Sequence, residues 1–176
     1  MLITISAKSL VDIKKFSEEC VGTNKYYSSR GQSNVAKITS DIFTGKCGEF
    51  AAYQLLLSKF EDATPPDLEI YIGRRKSHSA DLTAGGFKFS VKTQSMDSIR
   101  KYGMSWLMEK TSLSKFDGHH VILCLELEPG IILIQNIVEF GAMLAVQAEP
   151  RLKHLKSKCA FYYDDILLGV LSDFKK

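Results

Sequence analysis

Two hydrophobic periodicities meet at Pro65 and Pro66. Before the prolines, apolar residues recur every three to four positions, which is typical of a helix with one buried face. This pattern predicts a helix over residues 10–21 and another over 49–60, the latter preceded by a helical stretch that breaks near residues 44–45. After the prolines the period changes to two, which is typical of β-strands. The sequence therefore predicts helices first and a sheet second.

The strand-like part of the chain contains two hairpin signals. Gly85–Gly86 and Pro129–Gly130 each separate two strand-like segments, and glycine-containing pairs of this kind favour tight turns. The segments around Pro129–Gly130 are apolar at nearly every position, as expected for strands that are covered on both faces. The predicted strands cover residues 68–72, 81–83, 87–93, 121–127, 131–134 and 160–163.

Two further helices are predicted later in the chain, over residues 137–147 and from Asp164 or Asp165 to Phe174. Helices therefore precede and follow the strands. We expect an α/β fold in which a mixed central β-sheet is flanked by helices. No repeat, low-complexity segment or linker interrupts the sequence, so residues 1–176 are expected to form a single domain.

Composition narrows the class of protein. The 176 residues are 45% hydrophobic and 24% charged, which is typical of a globular domain and excludes a disordered, collagen-like or coiled-coil chain. No apolar run approaches the roughly 20 residues of a membrane span, and residues 1–6 lack the basic and apolar regions of a signal peptide. We therefore expect a cytoplasmic protein with no membrane partner. Its four cysteines form no CxxC pair and are expected to be reduced thiols.

Charge alone does not identify a partner. The net charge is +3, from 23 Lys and Arg against 20 Asp and Glu. Basic residues cluster at 74–76, at 100–101 and within 151–158. Each cluster is most simply a solvated face, but several of them on one small domain could form the phosphate-tracking surface that nucleic-acid binding requires.

Glu49 occupies the apolar stripe of its predicted helix. Ala52, Tyr53 and Leu56 follow it at the spacings that place residues on one helix face. Burial of an unpaired carboxylate is costly, so Glu49 is expected to be paired, protonated or close to a cation. The alternative is an exposed acid in the first turn, where the helix dipole stabilises negative charge.

Asp81 and Lys92 lie on the two strands of the first predicted hairpin. Alternation along the second strand places Ser90, Lys92 and Gln94 on one face of the sheet. A carboxylate beside a lysine can hold a divalent metal and orient a water that attacks a phosphate. The ordinary interpretation is a cross-strand ion pair, which contributes a few tenths of a kcal/mol at the surface.

The order of these residues resembles the PD-(D/E)XK nuclease superfamily, which has the restriction-endonuclease-like fold. The resemblance covers about residues 45–94. It implies that Asp81 is the motif aspartate, Lys92 the motif lysine and Glu49 the acid that the preceding helix supplies. Ser90 departs from the pattern, because the motif usually has Asp or Glu at this position.

By the same resemblance, Glu49, Asp81 and the backbone carbonyl of Val91 would bind Mg²⁺, for which Mn²⁺ could substitute. Gln94 would assist catalysis beside Lys92. The resemblance therefore implies a Mg²⁺-dependent endonuclease that hydrolyses DNA. A homodimer is a fair expectation, because small nucleases of this type often dimerise to cut both strands.

Three alternatives stay open. A catalytically inactive nucleic-acid-binding or inhibitory module with the same fold is favoured by Ser90, and a plain protein-interaction domain is also compatible with the chain. Asp67, which follows Pro66, is a rival for the motif aspartate, although it begins the preceding predicted strand. The sequence contains no phosphate loop, dinucleotide-binding motif, serine-hydrolase motif or zinc-protease motif.

Two aromatic or imidazole motifs have ordinary explanations. His119–His120 could belong to a metal site, but a solvated entrance to a strand is the favoured interpretation. Tyr102 and Trp106 could form a cleft wall or stack on a base, although a role in the core is favoured.

Overall fold

The computed structural model describes residues 1–23, 33–71, 80–152 and 155–166. The elements within these ranges are helices and strands in mixed order. Residues 163–166 begin a further helix, and the rest of the predicted C-terminal helix lies outside the described residues. In chain order the elements are β1 (Leu2–Thr4), α1 (Ala7–Thr23), α2 (Val35–Leu57), β2 (Leu82–Ala84), β3 (Phe87–Ser95), α3 (Met96–Tyr102), β4 (Ser105–Glu109), a 3₁₀-helix (Lys110–Phe116), β5 (His119–Glu128), β6 (Ile131–Glu139), α4 (Phe140–Leu144) and β7 (Lys158–Tyr162).

A five-stranded mixed sheet forms the centre of the molecule, with strand order β1-β6-β5-β3-β2. β3 and β5 are parallel, and the other neighbouring pairs are antiparallel. Parallel strands need a long crossover, which here contains α3, β4 and the 3₁₀-helix. β4 pairs with β7 in a separate two-stranded sheet. The predicted α/β class, with a mixed central sheet and flanking helices, is confirmed.

Two apolar clusters cover the two faces of the central sheet. α1 and α2 pack on one face, which we call the helix face, where Phe89 and Val91 of β3 join the cluster. β4, β7 and α4 contribute to the cluster on the opposite face. Because side chains alternate along a strand, Ser90, Lys92 and Gln94 project to the opposite face.

Helix α2 runs along β3 in the reverse direction. Near its middle, Gly48 touches Thr93, and a Cβ atom on this glycine would lie 1.8 Å from Thr93 Oγ1. Beyond its C-terminal end, Phe60 packs against Gly85 in the turn between β2 and β3. The N-terminal half of α2 therefore lies over the C-terminal end of β3.

β2 covers only the first part of β3. Its three residues pair with residues 87–89, and within the described part of the chain no strand continues this pairing. Beyond it, the backbone N–H of Val91 donates a 2.8 Å hydrogen bond to the Asp81 carboxylate. We call the β2 side of residues 91–95 the open edge of β3.

The hairpin predicted at Gly85–Gly86 is confirmed, and both glycines have the positive φ angles, 56° and 79°, that a tight turn of this type requires. Other boundaries were wrong. α2 is continuous through Thr44 and ends at Leu57. Residues 68–71 form no strand, and residue 72 lies outside the described residues.

The helix predicted over residues 137–147 is present, but its predicted bounds were wrong. β6 continues to Glu139, which pairs with His120 of β5, and α4 covers only Phe140–Leu144. The long pairing with β5 therefore overrides the local helical pattern, which is the usual outcome when tertiary contacts oppose weak propensity.

Candidate functional site

Asp81 lies at the open edge of β3. Its Oδ2 atom accepts the 2.8 Å hydrogen bond from the Val91 N–H, which fixes the carboxylate beside the strand. The N–H and C=O groups of one strand residue point to the same side. The Val91 carbonyl therefore points to the same edge as the Asp81 carboxylate, and two oxygen donors are brought together there.

Lys92 projects from the opposite face, one residue after Val91. Its ammonium nitrogen lies 5.1 Å from the centroid of the Phe116 ring, a cation–π contact that supports the half-buried side chain. Within the described ranges, Lys92 has no carboxylate as an ion-pair partner. Its positive charge is therefore not neutralised by a neighbouring acid.

Ser90 occupies the motif position that usually holds an acid, and its partner is a histidine. The Ser90 hydroxyl and His119 Nδ1 are 3.1 Å apart, and the two residues are 2% and 6% exposed. Burial, reinforced by Lys88 and Lys92, lowers the pKa of His119 against the opposing effect of Asp81. The imidazole is thus held neutral. The solvated strand entrance predicted for His119 was wrong.

The polar atoms of Gln94 are all used to join β3 to β4. Its Nε2 atom donates to the Gly103 carbonyl at 2.8 Å and more weakly to Ser98 Oγ at 3.3 Å. Its Oε1 atom accepts from the Ser105 N–H at 3.0 Å. Gln94 is 6% exposed. In this arrangement it positions the start of β4, which is a different role from the assistance to catalysis expected from the sequence.

Glu49 is largely buried in an ion pair. Its Oε2 atom lies 2.6 Å from Lys46 Nζ, and the two side chains are 14% and 9% exposed. Lys46 Nζ also lies 5.4 Å from the centroid of the Phe16 ring in α1. The prediction that Glu49 shares the apolar stripe and needs a cationic partner agrees with this geometry.

Helix geometry indicates the direction in which Glu49 projects. Cys47 lies against Gly130 in the turn between β5 and β6. Successive helix residues are rotated by about 100°, so Cys47 and Glu49 project to opposite sides of Gly48, which faces β3. Glu49 therefore leaves the helix on the side of β2, and its carboxylate is held by Lys46 next to Phe16 of α1. Glu49 lies on the helix face of the sheet, whereas Lys92 lies on the opposite face.

The donors at the open edge are compatible in type with Mg²⁺ or Mn²⁺. The Asp81 carboxylate and the Val91 carbonyl supply oxygens there, and Mg²⁺ is usually bound through one or two carboxylates together with substrate phosphates and water. Within residues 1–23, 33–71, 80–152 and 155–166, no group of three or more His, Cys, Asp or Glu side chains could hold a metal. A metal here would therefore depend on two carboxylates.

The rival aspartate is engaged in a local turn. Asp67 accepts hydrogen bonds from the Glu69 N–H at 2.8 Å and from the Tyr71 hydroxyl at 2.9 Å. The hydrogen bond to Asp67 is the main reason why the pKa of Tyr71 is raised. Trp106 has the predicted core role, at 3% exposure, whereas Tyr102 is 48% exposed.

The sequence did not indicate two features of this region. One is the Ser90–His119 pair, which forms only because β3 and β5 are parallel neighbours. The other is a cleft at the C-terminal end of β3 that Lys37 and Asp41 of α2 share with Lys92. The spacing of these residues in the sequence indicates neither the pair nor the cleft.

Comparison with protein-family models, with curated proteins and with solved structures finds no match for this chain. In the described parts of the chain, no helix is both long enough and apolar enough to cross a membrane.

Proposed function

We propose that this chain is a metal-dependent endonuclease that hydrolyses DNA phosphodiester bonds, with Mg²⁺ as its metal and Mn²⁺ as a substitute. The observation that carries the proposal is the hydrogen bond between the Val91 N–H and Asp81 at the open edge of β3. It brings a carboxylate and a backbone carbonyl to one edge, immediately before a lysine that has no acidic partner among the described residues.

Each residue has a distinct role in this proposal. Asp81, Glu49 and the Val91 carbonyl would hold the metal, which when bound activates a water and neutralises charge on the phosphate. The Lys92 ammonium stabilises negative charge that develops on the phosphate oxygens. The neutral Ser90–His119 pair leaves that ammonium unpaired, and Gln94 holds the start of β4 in place.

A cytoplasmic location and a homodimer that cuts both strands complete the proposal. The first rests on the sequence composition and the second on the family resemblance.

Nicking of supercoiled DNA tests the activity. The full chain is incubated with Mg²⁺, with Mn²⁺ or with EDTA, and relaxed circles are counted against time. We expect nicking with either metal, none with EDTA, and a loss of at least about 100-fold in Lys92→Met. Lys88→Met, an exposed lysine on the same strand face, is the matched control and should retain activity. Absence of nicking with both metals would contradict the proposal.

The second candidate is a catalytically inactive nucleic-acid-binding or inhibitory module. It is favoured by the same Ser90–His119 hydrogen bond, which replaces a metal-binding carboxylate with a neutral pair. DNA binding that weakens with salt, without nicking under any metal condition, would support this candidate instead.

A further inference from the structure

A cleft of about 240 Å³ opens at the C-terminal end of β3. It is lined by the N-terminal half of α2, by the end of β3, by α3 and by the start of β4. Because β3 is open on one side there, residues from both faces of the sheet reach the same cavity. The lining side chains on which the argument depends are Lys37, Asp41, Lys92, Ser95 and Ser98.

The serines of this cleft retain hydrogen-bond donors. Ser95 Oγ accepts from the Ser98 N–H at 3.4 Å, and Ser98 Oγ accepts from Gln94 Nε2 at 3.3 Å. A hydroxyl that accepts a hydrogen bond still has its own proton to donate. Both hydroxyl protons can therefore be donated to an acceptor in the cleft.

Two polar atoms of residues that line the cleft lack partners but are buried behind its surface. Within the described part of the chain, Thr93 Oγ1 and Trp106 Nε1 are buried and make no hydrogen bond. The indole N–H is only a donor, and a buried polar group without a partner costs stability. Both atoms are buried, and Thr93 Oγ1 lies against Gly48, so the donors that the cleft itself offers are the serine hydroxyls and the lysines.

The charges of the cleft favour an anion. Lys37 forms an ion pair with Asp41 on the next turn of α2, so these two charges offset each other. Lys92 has no such partner among the described residues. A ligand with several acceptor oxygens and negative charge is the chemical complement of this lining.

The volume limits the size of the ligand. Pockets for drug-sized molecules measure about 300–1,000 Å³, so this cleft is smaller than those. It has room for one phosphate with its sugar, and a base would have to extend toward the opening.

We propose that this cleft, the phosphate cleft, binds the phosphate ester of a single nucleotide unit of a nucleic-acid strand. The inference deepens the proposed function, since Lys92 belongs to both sites, but binding in the phosphate cleft needs no metal. The ligand is held by Lys92 and by the serine hydroxyls, and Asp41 weakens its binding by neutralising Lys37.

Titration of the full chain with thymidine 5′-monophosphate in EDTA tests this inference, with thymidine as the control ligand. We expect the phosphate to improve binding at least tenfold, an order of magnitude set by one charge-assisted hydrogen bond. Lys92→Gln should weaken nucleotide binding about tenfold and Ser98→Ala by a few-fold. Ser114→Ala, an exposed serine outside the cleft, should change nothing.

Asp41→Asn is expected to change the affinity for the nucleotide in the opposite direction. It frees the Lys37 ammonium and should tighten nucleotide binding by a few-fold. Equal binding of thymidine and its monophosphate, an unchanged affinity in Lys92→Gln, or a weaker affinity in Asp41→Asn would each overturn the inference.

The two proposals fail in different ways. Asp81→Asn should abolish nicking and leave nucleotide binding in EDTA unchanged, because Asp81 does not line the cleft. If the protein binds the nucleotide but does not nick DNA under any metal condition, the phosphate cleft is supported and the nuclease function is contradicted. If the protein nicks DNA but does not bind the nucleotide, the nuclease function is supported and the phosphate cleft is contradicted.

Discussion

The two faces of the central sheet treat their charged side chains differently around β3. On the helix face, Glu49 is paired with Lys46, and Glu126 accepts a hydrogen bond from Thr44. On the opposite face, Lys92 has no acidic partner among the described residues. The helix face therefore gives both carboxyl groups a hydrogen-bond donor, whereas the opposite face leaves a cation available.

Asp81 lies at the boundary between these two regions. Its carboxylate is held in line with the strand by the Val91 N–H, so it belongs to neither face alone. Because the two faces differ in this way, the chemistry of the proposed site depends on the open edge, where groups from both faces can meet. The short β2, which ends pairing at Phe89, is what makes that edge accessible.

Replacement of Glu49 tests whether the helix face contributes to that edge, and among the variants that compare the two faces it has the largest expected effect. Glu49→Gln should lower Mg²⁺-dependent nicking by at least about 100-fold, since an amide is a poorer ligand for a hard cation. The measurement is the nicking rate against Mg²⁺ concentration. Glu19→Gln, an exposed acid on α1, is the matched control.

Glu49→Gln also leaves Lys46 without its carboxylate, so stability must be measured in parallel. Urea unfolding of Glu49→Gln and Lys46→Met separates the two effects, because both variants break the ion pair but only the first removes a ligand. If Glu49→Gln nicks DNA at the wild-type rate across the titration, Glu49 does not hold the metal. The inactive binding module would then become the preferred function.

Introducing an acid at position 90 tests whether the Ser90–His119 pair has to be neutral. Ser90→Glu should destabilise the fold by about 2–4 kcal/mol, because the position is 2% exposed and the new carboxylate must be buried beside His119. The free energy of unfolding in urea is the measurement. If Ser90→Glu is as stable as wild type and restores nicking to Glu49→Gln, a carboxylate fits this position and the neutral pair is dispensable.

Stability should depend on pH in opposite directions on the two faces, and this is the smallest expected effect. The pKa of His119 is lowered from 6.5, mainly by burial. Its contribution to stability is therefore present above pH 6.5 and is lost as the pH falls through the lowered pKa. His119→Gln should remove this loss on the acidic side.

Glu126 should make stability depend on pH in the opposite direction. Burial raises its pKa above 4.5, against the opposing hydrogen bonds from Thr44 and Gly130. Its contribution is present below pH 4.5 and is lost as the pH rises through the raised pKa. Glu126→Gln should remove this loss while keeping an acceptor for Thr44. Urea midpoints against pH for the two variants measure both effects, and parallel curves for wild type and either variant would contradict the corresponding assignment.

Local signals predicted the features that neighbouring residues determine. The Gly85–Gly86 turn and the alternation that places Lys92 and Gln94 on one face follow from the sequence and are present in the fold. The break predicted near Thr44 is absent because the polar residues there find buried partners: Thr44 bonds Glu126, and Lys46 pairs with Glu49. No local pattern indicates such partners.

The partner of Ser90 could not be predicted for a similar reason. His119 reaches it through the parallel register of β3 and β5, in which Ser90 lies opposite Val121. That register depends on packing across a long crossover. The position of α2 likewise depends on the contact of Gly48 with Thr93, which places Lys37 and Asp41 beside the end of β3.

The central claim is that Asp81 at the open edge of β3 binds the metal for DNA cleavage. Nicking rates of wild type, Asp81→Asn, Asp67→Asn and the exposed control Asp12→Asn, measured across a Mg²⁺ titration, test it most directly. An asparagine can still accept the hydrogen bond from the Val91 N–H, so the fold should be retained. We predict a loss of at least about 1,000-fold in Asp81→Asn alone. Wild-type nicking by Asp81→Asn, or an equal loss in Asp67→Asn, would contradict the claim.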